Sequence, residues 1–70
     1  MISCKEMIDI LNEIFMHEKK HFMFYLHASL TLSGLERLIL KPLLEKEMQG
    51  ELSHMQMFGD KIFALGGIPT

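Results

Sequence analysis

The chain has 70 residues, of which 49% are hydrophobic and 23% are charged, and its formal net charge is −2. A chain of this length forms one domain at most. Its weakly negative net charge gives no indication of the basic surface that is typical of nucleic-acid-binding proteins. The single cysteine, Cys4, excludes an internal disulfide. We therefore expect a metal ion or a partner chain to supply the stability that a small core lacks.

The sequence contains no segment with the properties of a membrane span or a secretory signal. The longest uncharged stretch, residues 21–35, is too short to cross a bilayer and includes two histidines. Lys5, Glu6 and Asp9 occur near the start, where a signal peptide has an apolar segment. Together with the single cysteine, these features lead us to expect a cytoplasmic protein without a membrane or nucleic-acid partner.

The first predicted element is a long helix over about residues 4–32. Ser3 and Glu6 have the spacing of a capping box, in which the serine accepts from a backbone amide and the glutamate reaches back. Apolar residues then recur every three or four positions, which is helical and not strand-like periodicity. They are Met7, Ile8, Leu11, Ile14, Phe15, Phe22, Tyr25, Leu26 and Leu32.

A turn at about residues 33–35 ends this helix, because Gly34 readily adopts the left-handed conformation. Ser33 and Glu36 again have capping-box spacing, so a second helix is predicted over about residues 36–65. Pro42 either separates a short first turn or kinks one continuous helix, and we favour the kinked helix. The glycines at 66 and 67 end it.

The sequence therefore predicts an all-α fold, a single domain over residues 1–70 that forms an antiparallel two-helix hairpin. Each helix has an apolar stripe that one neighbouring helix cannot cover. A second copy in two-fold symmetry would complete a four-helix bundle. Alternatively, the chain is a fragment whose missing half supplies two further helices.

Three polar side chains interrupt the apolar stripes at matching levels. Glu51 and His54 are three residues apart and share one face of the second helix, which we expect to point inward. Glu18 lies among apolar residues of the first helix, about as far from the turn as Glu51. Burial of such groups is costly unless something pairs with them. We interpret Glu18, Glu51 and His54 as metal ligands, and this donor set suits iron or manganese.

Two copies of the hairpin would supply the ligand set of ferritin-like di-iron and di-manganese bundles. We expect Glu51 to bridge two ions, with Glu18 and His54 as terminal ligands. Glu47, Tyr25 and His21 are weaker candidates, for the metal itself or for its surroundings: Glu47 and Tyr25 face the same seam, and His21 lies at its edge. The remaining histidines, at positions 17 and 27, are expected at the surface.

At these positions the sequence resembles the N-terminal half of bacterioferritins, the part that forms helices A and B. The resemblance rests on Glu18 followed by Tyr25, the Gly34-Leu35 turn, Glu47, Glu51-Leu52-Ser53-His54, and the flanking segments Ile10-Leu11-Asn12-Glu13 and Lys61-Ile62-Phe63-Ala64-Leu65-Gly66-Gly67-Ile68-Pro69. It implies a ferroxidase-type di-iron site at Glu18, Glu51 and His54. Such a site oxidises Fe(II) with O₂ in iron storage or detoxification.

The resemblance also bears on haem and on assembly. Bacterioferritins place a haem-ligating methionine directly after the glutamate of Glu-x-x-His, and Leu52 occupies that position here, so haem is not expected. Encapsulated ferritins, which are similar, make a di-iron site across a dimer of helical hairpins. Two alternative functions stay open: a metal-free dimerisation hairpin, as in a truncated or degenerate ferritin relative, and a di-metal oxidase acting on an organic substrate.

Overall fold

The computed structural model describes residues 2–70 and consists of two α-helices joined by a short turn. Helix α1 spans Cys4–Thr31 and helix α2 spans Gly34–Ala64. The helices pack side by side in an elongated molecule of 52 × 18 × 14 Å. The predicted all-α two-helix hairpin is therefore confirmed. Across the described residues, neither helix is long and apolar enough to cross a membrane.

Helix α1 begins with the predicted interaction between Ser3 and Glu6. The Ser3 hydroxyl accepts a hydrogen bond from the Glu6 amide at 3.1 Å and donates one to the Glu6 carboxylate at 3.1 Å. The glutamate thus reaches back to the serine hydroxyl. At the other end, the amide of Leu32 bonds to the carbonyl of Ala28 and closes the last turn.

The turn between the helices is tighter than the sequence predicts. Leu32 and Ser33 have extended backbone, and α2 begins at Gly34, whose φ of +61° lies in the left-handed region. The predicted cap by Ser33 is not formed, because its side chain makes no hydrogen bond to the start of α2. Instead, Nη1 of Arg37 donates to the carbonyl of Leu32 at 3.2 Å.

Helix α2 continues without interruption through Pro42, where the missing amide proton removes one helical hydrogen bond. The kink at this proline stays a prediction. The helix ends in a Schellman motif, in which the Gly67 amide donates to the carbonyl of Ile62 at 2.9 Å and the Gly66 amide to Phe63 at 3.0 Å. Gly66 has a φ of +90°, which glycine adopts without strain.

The interface between the helices is thin. Of the described residues, only Ile62 and Ser29 are buried, and the Ser29 hydroxyl donates to the carbonyl of Leu26 at 2.8 Å. Large apolar side chains remain exposed on both helices, among them Ile10, Met16, Met23, Phe24, Leu38, Leu43, Met57 and Phe63. The hairpin therefore presents apolar faces of the kind that another helical element covers in a bundle.

Candidate metal centre

The antiparallel packing brings Glu18 of α1 opposite Glu51 and His54 of α2. One ligand atom of each residue lies within 4.8 Å of the corresponding atoms of the other two. The spacing of three between Glu51 and His54 places both on one face of α2, and the short turn sets Glu18 at their level. The three residues selected from the sequence therefore meet in one cluster.

Two oxygen atoms in this cluster lack the partners that buried acceptors normally have. Oε2 of Glu18 and Oε2 of Glu51 are both inaccessible to solvent and accept no hydrogen bond. Nδ1 of His54 lies 3.5 Å from Oε2 of Glu18, which is close enough for charge attraction only when the imidazole is protonated. Buried acceptors without donors are costly, and a bound cation would satisfy both.

The surroundings of Glu51 raise the pKa of its carboxyl above the ordinary value of 4.5. The largest cause is Glu18, because a protonated Glu51 can donate a hydrogen bond to that carboxylate, whereas two ionised carboxylates cannot form one. Burial and the negative charge of Glu18 act in the same direction. The charges of His21 and His54 act in the opposite direction. Glu51 therefore binds a proton more readily than a free glutamate does, mainly because Glu18 lies beside it.

Comparison with known proteins decides the family. A sequence model of the ferritin-like domain matches residues 8–70, which is nearly the whole chain. The chain belongs to the ferritin-like family. The family membership predicted from the sequence is thereby confirmed.

A solved structure defines how much of a ferritin-like fold is present. The chain is similar to a crystal structure of ferritin-like, diiron-carboxylate proteins from Bacillus anthracis str. Ames, with a TM-score of 0.87 and 39% sequence identity. The match covers 99% of this chain and 51% of that chain. Among curated proteins no sequence match was found. This ferritin-like hairpin thus spans about half the length of the matched structure and corresponds to half of its bundle.

The weaker candidates do not belong to the cluster of three close ligand atoms. Glu47 and His21 are exposed, and neither joins the group formed by the three close ligand atoms. The charge of His21 lowers the pKa of Glu51, so its imidazole lies near that carboxyl. Tyr25 is half-buried, with its ring edge-on to Phe24 at a centroid separation of 5.8 Å. The histidines at positions 17 and 27 are exposed, as predicted.

In the single hairpin His54 and Glu47 are not enclosed, and their burial in a closed seam stays a prediction for the complete bundle. The side chain of His54 is 57% exposed and that of Glu18 only 19%, and Glu47 is exposed as well. A helical wheel with about 100° per residue places His54 and Glu47 on the same side of Glu51. A single hairpin covers the carboxylates from one side and leaves this side open.

Apolar residues flank the open side of the cluster, which we call the open face. By the same helical geometry, it includes three residues of α1 and three of α2. All six are exposed: Met7, Ile10 and Ile14, and Leu40, Leu43 and Met57. A cluster of titratable ligands bordered by uncovered apolar side chains is the arrangement expected where a helix pair is missing.

Proposed function

We propose that this ferritin-like chain provides half of a di-iron centre that oxidises Fe(II) with O₂, in iron storage or detoxification. The observation that supports it most is the pair of buried carboxylate oxygens without partners, on Glu18 and Glu51, with His54 beside them. A bound cation would satisfy both of these oxygens. The description of the matched crystal structure as a diiron-carboxylate protein supports iron as that cation.

The donor set is chemically suited to iron. Two carboxylates and one imidazole are ligands that Fe(II) accepts, and the same donors would also bind Mn(II). Glu18, Glu51 and His54 would hold the metal, with His21 and Glu47 at the margin. When bound, a pair of iron ions supplies the electrons that reduce O₂.

The residues of the chain prepare the site for this chemistry. Because the pKa of Glu51 is raised, a proton competes with the metal for this carboxylate more strongly than at a free glutamate, so binding should weaken as pH falls. The apolar residues of the open face would keep bulk water from the carboxylates once a partner covers them. The protein thus fixes the ligand geometry and keeps the site dry.

We propose that the partner covering the open face is a second copy of this chain. One hairpin offers three close ligands, which is too few for two ions, whereas two hairpins supply the complete set of four carboxylates and two imidazoles. This chain covers 51% of the matched structure, so in that protein a comparable length of chain lies outside the matched hairpin. A two-fold axis would make each copy both donor and recipient of ligands.

Three narrower proposals accompany this function. The resemblance to bacterioferritins supports placing the chain near that subgroup, and Leu52 at the position of the haem-ligating methionine supports a protein without haem. The exposed free thiol of Cys4 suits a reducing compartment, so we place the protein in the cytoplasm.

The proposal is tested by metal analysis and solution mass of three proteins. Wild type is expected to bind two iron ions per dimer, and Glu51→Gln with His54→Ala to bind none. Glu45→Gln, at an exposed position of α2 outside the cluster, should behave as wild type. Oxygen uptake with Fe(II) alone would support a ferroxidase, whereas uptake only with an organic substrate would support an oxidase of that substrate. If a chelator changes neither mass nor melting, the chain is a metal-free dimerisation hairpin.

A further inference from the structure

The segment that follows α2 turns back and lies along α1. We call residues 67–70 the strap. The Schellman motif at Gly66 and Gly67 reverses the chain, and a Cβ atom added at Gly67 would lie 2.7 Å from Cγ2 of Ile8. That separation is shorter than real side chains tolerate, so only glycine allows the strap to approach α1 this closely. The reversal and the contact with Ile8 depend on each other.

The side chain of Asn12 holds the strap by both of its polar atoms. Its Oδ1 accepts a hydrogen bond from the Thr70 amide at 3.0 Å, and its Nδ2 donates one to the carbonyl of Ile68 at 3.4 Å. Nζ of Lys19 donates to the carbonyl of Thr70 at 2.9 Å. Asn12 is half-buried although it carries a polar amide. An amide that satisfies both a donor and an acceptor of the same backbone segment fixes where that segment lies.

The strap lies at the end of the hairpin opposite the turn, where α1 begins and α2 ends. The turn at Ser33 and Gly34 ties the helices together at one end, and nothing covalent does so near the start of α1 and the end of α2. The packing between the helices buries only Ile62 and Ser29 among the described residues. The strap bridges the untied end by joining the residues after α2 to Asn12 and Lys19 of α1.

The cluster lies between these two closures. Glu18 belongs to α1, and Glu51 and His54 belong to α2, so the separation of their ligand atoms depends on the spacing of the helices. We infer that Asn12 is a positioning residue for this cluster: by holding the strap against α1 it sets the distance between the helices at which the three ligands meet. The inference rests on the proposed function only for the identity of the bound metal.

The first test needs no metal. Spin labels at Lys20→Cys and Ser53→Cys, two exposed positions on different helices, report the helix separation in a Cys4→Ser background. Asn12→Ala is expected to broaden or lengthen the distance distribution, whereas the matched control Gln49→Ala, an exposed amide of α2, leaves it unchanged. An unchanged distribution in Asn12→Ala, with wild-type helix content, would overturn the inference.

The second test measures the ligands themselves. Titration with Co(II) reports both affinity and, through its visible bands, the ligand geometry. Asn12→Ala is expected to weaken binding about tenfold and to shift the bands, as loss of a residue that orients ligands does. Asn12→Asp keeps the acceptor for Thr70 but not the donor to Ile68, so its affinity should be intermediate. Wild-type affinity and bands in Asn12→Ala would contradict the inference.

A second variant releases the strap from α1 by a different substitution, in case Asn12→Ala does not fold. Gly67→Ala displaces the strap from Ile8 and leaves the Asn12 side chain intact, so it should reproduce both effects. The two proposals fail differently. If wild type does not bind Co(II), the proposed function is refuted. The spin-label distances would still show whether Asn12 sets the helix separation. Wild-type binding with no effect of either strap variant would refute only the positioning role.

Discussion

Nδ1 of His54 lies 3.5 Å from Oε2 of Glu18, so a residue of α2 reaches across the hairpin to a carboxylate of α1. The two residues are exposed to very different extents, because the carboxylate lies between the helices and the imidazole at their edge. A cluster built this way responds separately to loss of a ligand, to pH, to metal and to a partner on its open side.

Glu18→Gln removes a charge without changing the size of the side chain. We expect metal affinity to fall at least about tenfold, and the free energy of unfolding without metal to stay equal or rise by roughly 1 kcal/mol, because the amide can donate to the unpaired Oε2 of Glu51. Calorimetric titration and chemical denaturation measure both. Glu13→Gln, at an exposed position of α1, is the control and should change neither.

The raised pKa of Glu51 predicts the direction of a pH effect on stability. In the unfolded chain the group titrates near 4.5, and in the folded chain it titrates higher. Between these two values the folded state binds more protons, so its contribution to stability is present below 4.5 and lost as pH rises through the folded pKa. The difference in unfolding free energy between wild type and Glu51→Gln isolates this term. As pH rises, wild type should lose stability relative to Glu51→Gln. A difference in unfolding free energy that does not change with pH would contradict the raised pKa of Glu51.

Metal that binds the folded chain should stabilise it by an amount that rises with the logarithm of the free metal concentration above Kd. At a free concentration 100 times Kd, the gain is about 2.7 kcal/mol, provided the unfolded chain binds no metal. Thermal melting with Fe(II) under anaerobic conditions should show a higher Tm, and EDTA should return it to the starting value. His54→Ala should show a smaller increase at the same metal concentration. An equal increase in this variant would mean that the ion binds elsewhere.

The open face predicts which surface a second copy covers. Ile10→Glu introduces a charge among the exposed apolar residues of that face. If wild type sediments as the proposed dimer, this variant should sediment as a monomer. Met23→Glu makes the same change at an exposed position on the opposite side of α1 and should leave the mass unchanged. The reverse result would place the interface on the Met23 side.

The left-handed residue of the turn offers a test of the fold itself. A Cβ atom at Gly34 would meet nothing within 4 Å, so substitution there changes only the backbone energy at a φ of +61°. Gly34→Ala should cost about 1–2 kcal/mol of stability. Gly34→Asn should cost less, because asparagine enters this region more easily. Denaturation of both variants measures the difference, and equal losses would point to a different turn conformation.

Sequence patterns predict the features of this structure that depend on nearby residues or on the number of residues between a side chain and the turn. The apolar periodicity and Gly34 predict two antiparallel helices, and the spacing of Glu51 and His54 predicts a shared face. Glu18 is found by its equal distance from the turn. These rules suffice to bring the three candidate ligands together, because a short turn leaves little freedom of register.

The features that the sequence could not predict depend on contacts between parts of the chain that lie far apart in the sequence. The Ser33 side chain makes no cap hydrogen bond despite its favourable spacing, and the exposure of His54 follows from which side of the cluster is covered. The strap joins Asn12 to Thr70 over a separation of 58 positions, and a single amide carries no periodic signal. Such a contact emerges only when the reversal at Gly66 is known.

Because ligands from both helices converge within one chain, each hairpin carries a preassembled half-site before it meets another copy. In the proposed assembly, the cation and the second copy would each favour the binding of the other by the same factor, as thermodynamic linkage requires. Dilution would then release metal, and metal depletion would release protomers. In that assembly the availability of iron would govern the quaternary state.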